Sequence, residues 1–227
     1  DLVEDVTEAR DGMIAIPGGT SSRPEGIAID GDTAYVGSVA DGTIFRFDLD
    51  ADEAEVFLPG GVGGRVSVTG MKVDDDRLFV SGSASGRVFV FDVETGDELF
   101  NGSTPIPGSF VNDVDVAPDG TAYFTDSFNP FVYALSADLE LSVFRDLNGT
   151  AFAYEPGFNA NGIVVTSNGK WALIVQSNTG KLFRLDLSTK AVVEVDLGGA
   201  TVAGGDGLVL RGKTLWVVRG GAGVVTK

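Results

Sequence analysis

The 227-residue chain has no cysteine and no histidine, and each absence removes chemistry. Without cysteine there is no disulfide framework and no thiolate metal site, while the compartment stays open, because such chains occur in the cytoplasm and among secreted bacterial proteins. Without histidine there is no Ser-His-Asp triad, no imidazole base and no imidazole metal ligand. Any catalysis must rest on carboxylates, amides, hydroxyls, Lys, Arg or a bound metal. Proline is scarce at 8 residues, and no apolar run reaches the length of a membrane-spanning helix. Positive charge is scarce as well: 16 Lys and Arg face 33 Asp and Glu, a formal net charge of −17. Such a surface repels nucleic acid and anionic membranes, so neither is an expected partner. Asp outnumbers Glu 23 to 10, a bias that suits an extracellular or high-salt habitat. No leader pattern is read in the given sequence, and Asp1 is expected to follow a removed one or a boundary.

What is present is glycine, at 32 residues, and an apolar fraction of 43%, enough for a core. Many glycines with few prolines suit short strands joined by tight turns. A repeat organises them. Five segments begin with a side-chain oxygen and continue as an apolar alternation: Glu25–Asp30, Thr69–Asp74, Asn112–Ala117, Asn161–Thr166 and Asp206–Arg211. Each is followed by a second strand after an Asp/Gly turn (Thr33–Ser38, Arg77–Gly82, Thr121–Asp126, Trp171–Gln176, Thr214–Arg219), then by a third and, in most units, a weaker fourth. Period-two alternation with β-branched and aromatic enrichment reads as strand, and four strands recurring about every 45 residues read as propeller blades. The expectation is one all-β β-propeller domain over 1–227 with an irregular segment at 1–11. Tyr35, Tyr123, Trp171 and Trp216 are assigned to blade packing.

Five blades fit within the chain if the N-terminal segment Gly12–Gly19, which resembles 54–61, supplies the outer strand of the last blade and ties the ends together. The alternative is a six-bladed parent with a blade missing, which exposes an unpaired wall and dimerises through it.

The innermost strands of a propeller line its channel. Equivalent first positions on successive blades therefore form a ring at one end: Glu25, Thr69, Asn112, Asn161 and Asp206. Two carboxylates and two amides on one axis make a hard-oxygen site of formal charge −2. With no Cys or His, Ca²⁺ is the expected ion, with Mg²⁺, Mn²⁺ or Zn²⁺ as alternatives. Asn or Asp before Gly is also a common turn element, so each position alone has a structural reading. Asp126 reads equally as a second layer to this site or as a turn carboxylate. Arg219 reads as a surface residue or as a contact for an anionic group, and Lys72, inside an inner strand, receives no role.

The ordered motifs Pro24-Glu25-Gly26, Val111-Asn112-Asp113, Asn161-Gly162 and Asp206-Gly207 resemble the senescence-marker-protein/gluconolactonase/luciferin-regenerating-enzyme-like propellers over nearly the whole chain. The resemblance implies a divalent metal held by Glu25, Asn161 and Asp206, with Asn112 beside it contacting water or substrate, and lactone hydrolysis as the activity. Three features depart from that pattern. Family members are typically six-bladed and longer. Several place an Arg two residues before the Asn of the third inner strand to hold a sugar lactone; here that position is Phe110, which shifts the expected substrate to a more apolar lactone or ester. Related paraoxonase-type propellers use a His that this chain lacks. In the resulting mechanism Asp206 is ligand and base, Asn112 donates to the substrate oxygen, and Thr69 and Phe110 line the pocket. The rival readings are a non-catalytic binding propeller with a structural ion and a metal-free, strictosidine-synthase-like propeller enzyme.

Overall fold

The structure is a computed structural model that describes residues 14–17 and 21–227. Nineteen strands make five antiparallel sheets. Blade 1 is β1 (Pro24–Asp30), β2 (Thr33–Ser38), β3 (Ile44–Asp48) and β4 (Glu53–Leu58). Blade 2 is β5 (Met71–Asp74), β6 (Arg77–Ser81), β7 (Arg87–Asp92) and β8 (Glu98–Ser103). Blade 3 is β9 (Val111–Val116), β10 (Ala122–Asp126), β11 (Phe131–Leu135) and β12 (Leu141–Asp146). Blade 4 is β13 (Ala160–Val165), β14 (Trp171–Gln176), β15 (Lys181–Asp186) and β16 (Val192–Glu194). Blade 5 is β17 (Gly205–Arg211), β18 (Thr214–Arg219) and β19 (Val224–Thr226). This is a five-bladed β-propeller with the strand plan expected from the repeat.

The turns follow from local chemistry. Asp48, Asp92 and Asp186, at the ends of β3, β7 and β15, each accept two backbone N–H groups from the residues that follow. The carboxylate thereby replaces the strand ladder at the point where the chain reverses. This explains the recurrent Asp-hydrophobic pair at the ends of those strands.

Blades pack face to face, and the inner strand shows how. Its third and fifth positions turn back onto the preceding blade. Met71 of β5 joins a cluster with Ala28, Tyr35 and Ile44 of blade 1, and Ile163 and Val165 of β13 join Tyr123 and Val132 of blade 3. Leu208 of β17 packs with Val175 of blade 4. Contacts run β1 to β5, β5 to β9, β9 to β13 and β13 to β17, with no comparable packing of β17 on β1. The equivalent residues of blade 1, Ile27 and Ile29, are accordingly 58% and 61% exposed, and on the forward face of blade 5 Val209 is 50% exposed. Burying such side chains is worth about 1.5–3 kcal/mol each. Ile163→Ala should therefore cost about 2–5 kcal/mol in a urea titration, and the positionally equivalent Ile27→Ala less than about 1 kcal/mol. Equal costs would mean that blade 1 is covered in solution.

The expected ring closure by residues 12–19 is not seen among the described residues. The sheet of blade 5 has three strands, and residues 14–17 carry no strand assignment. Ile14 and Ile16 instead pack on Ala34, Phe45 and Phe47 of blade 1. Their apolar pair finds a buried partner face there. The remainder of the segment, and the irregular stretch expected at 1–11, lie outside the described residues.

Candidate functional site

The five ring positions share a backbone device that the sequence pattern did not reveal. In blades 1, 3, 4 and 5 the inner ladder slips by one residue at this point. Residues 25–26 lie between the pairs Pro24–Ser38 and Ile27–Val36, and residues 112–113 between Val111–Asp126 and Val114–Phe124. Residues 161–162 and 206–207 are placed alike. In blade 2, Thr69 and Gly70 precede β5, yet they exchange the matching bonds with Ser81: Thr69 N–H to Ser81 O at 3.0 Å and Ser81 N–H to Gly70 O at 2.9 Å. Each polar residue therefore sits on a β-bulge, which bends the strand and re-aims the side chain.

The bulge also explains the glycine at its second position. A Cβ on Gly26 would lie 2.0 Å from the Thr69 carbonyl oxygen, and one on Gly162 2.0 Å from that of Asp206. The next inner strand presses too close for any side chain. Gly207, on the last inner strand, has nothing within 4 Å of that position, as its exposed forward face requires. Blade 3 carries Asp113 instead of glycine, and its carboxylate accepts the Ile163 N–H at 3.0 Å from the following blade.

The side chains of the ring divide into two groups. Thr69 and Asn112 are buried, at 4% exposure each. The Thr69 hydroxyl donates to Val111 O at 2.9 Å, so Thr69 closes the seam between blades 2 and 3. Asn112 Nδ2 donates to Ser127 Oγ at 2.8 Å, and Ser127 Oγ donates onward to Ala160 O at 2.8 Å in blade 4. One blade later the relay recurs: Asn161 Nδ2 to Ser177 Oγ at 3.0 Å, then Ser177 Oγ to Gly205 O in blade 5. Asn, then Ser at the end of the second strand, is a repeated latch between blades. Ser127→Ala should cost about 2 kcal/mol, because it leaves a buried amide and a buried carbonyl unpaired, measured as a lower urea midpoint at unchanged slope. A wild-type midpoint would show that the latch does not hold the blades.

The second group is acidic. Glu25 stands on the open wall of blade 1 and is exposed. Its carboxyl is nevertheless pushed up to about 8, first by loss of water around it, then by repulsion from Asp206 and Asp113. Asp113 is raised to about 7, again first by loss of water, with Asp115 and Asp206 adding repulsion and the Ile163 and Val114 N–H groups opposing it. Asp206 is raised by the same desolvation, against a hydrogen bond from Asn161. The tertiary structure thus brings Glu25, Asp206 and Asn161 into one electrostatic neighbourhood and adds Asp113, a member that sequence reasoning missed. Its signal was its place in the Gly column of the repeat.

The donor chemistry, carboxylates and amides starved of positive charge, fits a hard divalent cation. Among the described residues no three carboxylates are close enough to hold an ion by themselves, so a metal here would also need the Asn161 amide oxygen. A cavity of about 460 Å³ lined by Tyr35, Arg46, Glu55 and Val93 lies on blade 1 and contains none of the ring residues.

Lys72, unassigned from sequence, pairs with Asp115 of blade 3 at 2.8 Å, and Asp115 also accepts the Val165 N–H of blade 4. It is a seam residue. Asp126 proves to be an organising carboxylate. Its Oδ1 accepts the backbone N–H groups of Phe110, Phe128 and Asn129, each at 3.0 Å, and its Oδ2 accepts the Tyr133 hydroxyl at 2.9 Å. Of its two readings, the turn carboxylate is the one seen. Arg219 Nε donates to Ala203 O at 2.9 Å, a local loop contact. Phe110 packs against Phe128 and Phe158 with ring centroids 5.0 and 5.2 Å away.

No protein-family model matches this chain, and no curated protein matches it. Solved structures do. Virginiamycin B lyase from Staphylococcus aureus aligns over 91% of this chain and 69% of its own, at a TM-score of 0.70 and 14% identity. The catalytically inactive histidine-to-alanine form of that lyase with quinupristin aligns over 92% and 70%, at 0.71 and 14%. The nidogen/laminin complex aligns over 87% and 72%, at 0.69 and 16%. These neighbours include an enzyme and a binding complex, and any step that rests on the lyase's histidine has no counterpart in a chain without one. At such identities the likeness is one of fold, the β-propeller, and nothing in it selects the gluconolactonase branch.

Proposed function

We propose that this propeller is a divalent-cation-dependent hydrolase of small lactones or esters, of the gluconolactonase-like type, working at the bulged end of its inner strands. The observation that carries the reading is the uncompensated carboxylate group at that end, Glu25, Asp206 and Asp113, all raised and without a described basic partner. Such a cluster is stabilised by a cation. In this reading Glu25, Asp206 and the Asn161 amide oxygen hold the ion, most suitably Ca²⁺. When bound there, a divalent ion would supply Lewis-acid polarisation of the substrate carbonyl.

The chain's own groups then have defined tasks. Asp206, placed beside the attacking water by its role at the ion, accepts a proton from it. The water oxygen bonds to the carbonyl carbon, the ring C–O bond breaks, and the proton passes to the departing ring oxygen, leaving a hydroxy acid. Asn112 gives one amide N–H to Ser127 and has a second for the substrate oxygen. The resemblance of the ordered motifs supports the same assignment.

The rival reading, a binding propeller with a structural ion, is favoured by one specific observation: both Asn residues are already engaged in latches between blades. A pH-indicator assay against a lactone and ester panel separates the two, run with Ca²⁺, Mg²⁺, Mn²⁺ or Zn²⁺ and again with chelator. Metal-dependent hydrolysis is the expected result. Tight cation binding without turnover on any member would replace the hydrolase by the binding module.

A further inference from the structure

Phe110, Phe128 and Phe158 form a closed triangle, with ring centroids 5.0, 5.2 and 5.1 Å apart. Phe128 is 51% exposed and Phe158 44%. Two large rings left in solvent cost free energy that a packed core would recover, and an exposed aromatic patch of this kind marks a contact surface. The triangle is also held rigid. Asp126 anchors the backbone N–H groups of Phe110 and Phe128. Asn159, buried beside Phe158, bonds the carbonyls of Glu155 and Gly157 and accepts the Glu155 N–H and the Gln176 amide. Its place in the fold is specific: Phe110 lies two residues before Asn112, Phe158 three before Asn161, and Phe128 follows the latch residue Ser127. The three rings therefore stand on the rim that carries the bulges of blades 3 and 4.

We infer that this aromatic triangle is the specificity element of the site, a platform for an unbranched alkyl or aryl substituent of a neutral lactone or ester. The inference rests on the hydrolase reading for the reacting group and goes beyond it in naming the substrate class. Charge limits the occupant. With Glu25, Asp113 and Asp206 on the inner strands and a net charge of −17, an anionic amphiphile is repelled and a neutral one is not. The hydroxy acid formed on ring opening carries a carboxylate, so the same field favours its departure.

The test is a series of γ-lactones with unbranched tails from methyl to octyl, with affinity read by calorimetry in the presence of Ca²⁺ and hydrolysis read separately. Wild-type affinity should tighten about threefold to fourfold per added methylene until the platform is covered. In the Phe128→Ala/Phe158→Ala protein the gain should fall below about twofold per methylene, and Phe128→Leu/Phe158→Leu, which keeps the apolar surface, should restore most of it. An unchanged slope in the alanine variant, no dependence on chain length in wild type, or no binding of any member overturns the platform. A chain-length slope without turnover keeps the platform and removes the hydrolase reading; turnover without a slope does the reverse.

Discussion

Asp126→Ala should be strongly destabilising, lowering the unfolding free energy by about 4 kcal/mol or more. The carboxylate is fully buried and accepts three backbone N–H groups on one oxygen and a tyrosine hydroxyl on the other. Alanine leaves these four donors, and the Asn129 amide at 3.3 Å, without that partner in a region that water does not reach, at about 1–3 kcal/mol each before relaxation. The loss reaches beyond blade 3, because Ser127 and Phe110 exchange a backbone bond beside it and Ser127 carries the latch into blade 4. Asp126→Asn keeps an oxygen for the three N–H groups and should recover part of the loss. Urea unfolding of both variants measures this. An alanine variant within about 1 kcal/mol of wild type would show that the loop finds other partners and that Asp126 is not its organiser.

The second large effect is expected at the carboxylate group. Asp206→Asn and Glu25→Gln should each lower lactone hydrolysis by about two to three orders of magnitude while the far-ultraviolet spectrum of the folded chain is retained, since both side chains lie at the strand ends and outside the core clusters. Wild-type turnover in either variant would remove the site from the mechanism. The same group sets a pH dependence with a definite sign. Glu25 moves from 4.5 to about 8 and Asp113 from 3.8 to about 7 on folding. Between those limits the native state holds protons that the unfolded chain has released. Stability therefore falls as pH rises from about 4 to about 8, and is flat with respect to these groups on either side. A divalent cation should reverse the trend at pH 8, because it binds the ionised native form and displaces its protons. Urea midpoints at pH 5 and pH 8, with and without Ca²⁺, report both. Midpoints that do not fall between these pH values would mean that the carboxylates are not crowded in solution.

Much of the fold was legible beforehand because its causes are local. Side-chain alternation, Asp/Gly turns and the in-phase repeat place nearly every strand to within two residues, as with β2 at Thr33–Ser38 and β14 at Trp171–Gln176. The ring of Glu25, Thr69, Asn112, Asn161 and Asp206 was legible for the same reason: equivalent positions of a repeat must fall at equivalent places around one axis. Their distinct fates were not. Whether an Asn points at a ligand or spends its amide on Ser127 depends on how far the next blade intrudes, and that distance is set by the bulge.

The amino-acid sequence by itself determined the all-β repeat, the turns, the strand boundaries and the exclusion of histidine and cysteine chemistry, because each follows from residues near one another in the chain or from composition. Only the tertiary structure decided the rest. It paired Lys72 with Asp115, turned Asp126 into an organising carboxylate, added Asp113 to the acidic group, gathered Phe110, Phe128 and Phe158, and left Ile27 and Ile29 exposed. Each of these is a contact, or the want of one, between segments tens of residues apart, and such distances are fixed only when whole blades pack against one another.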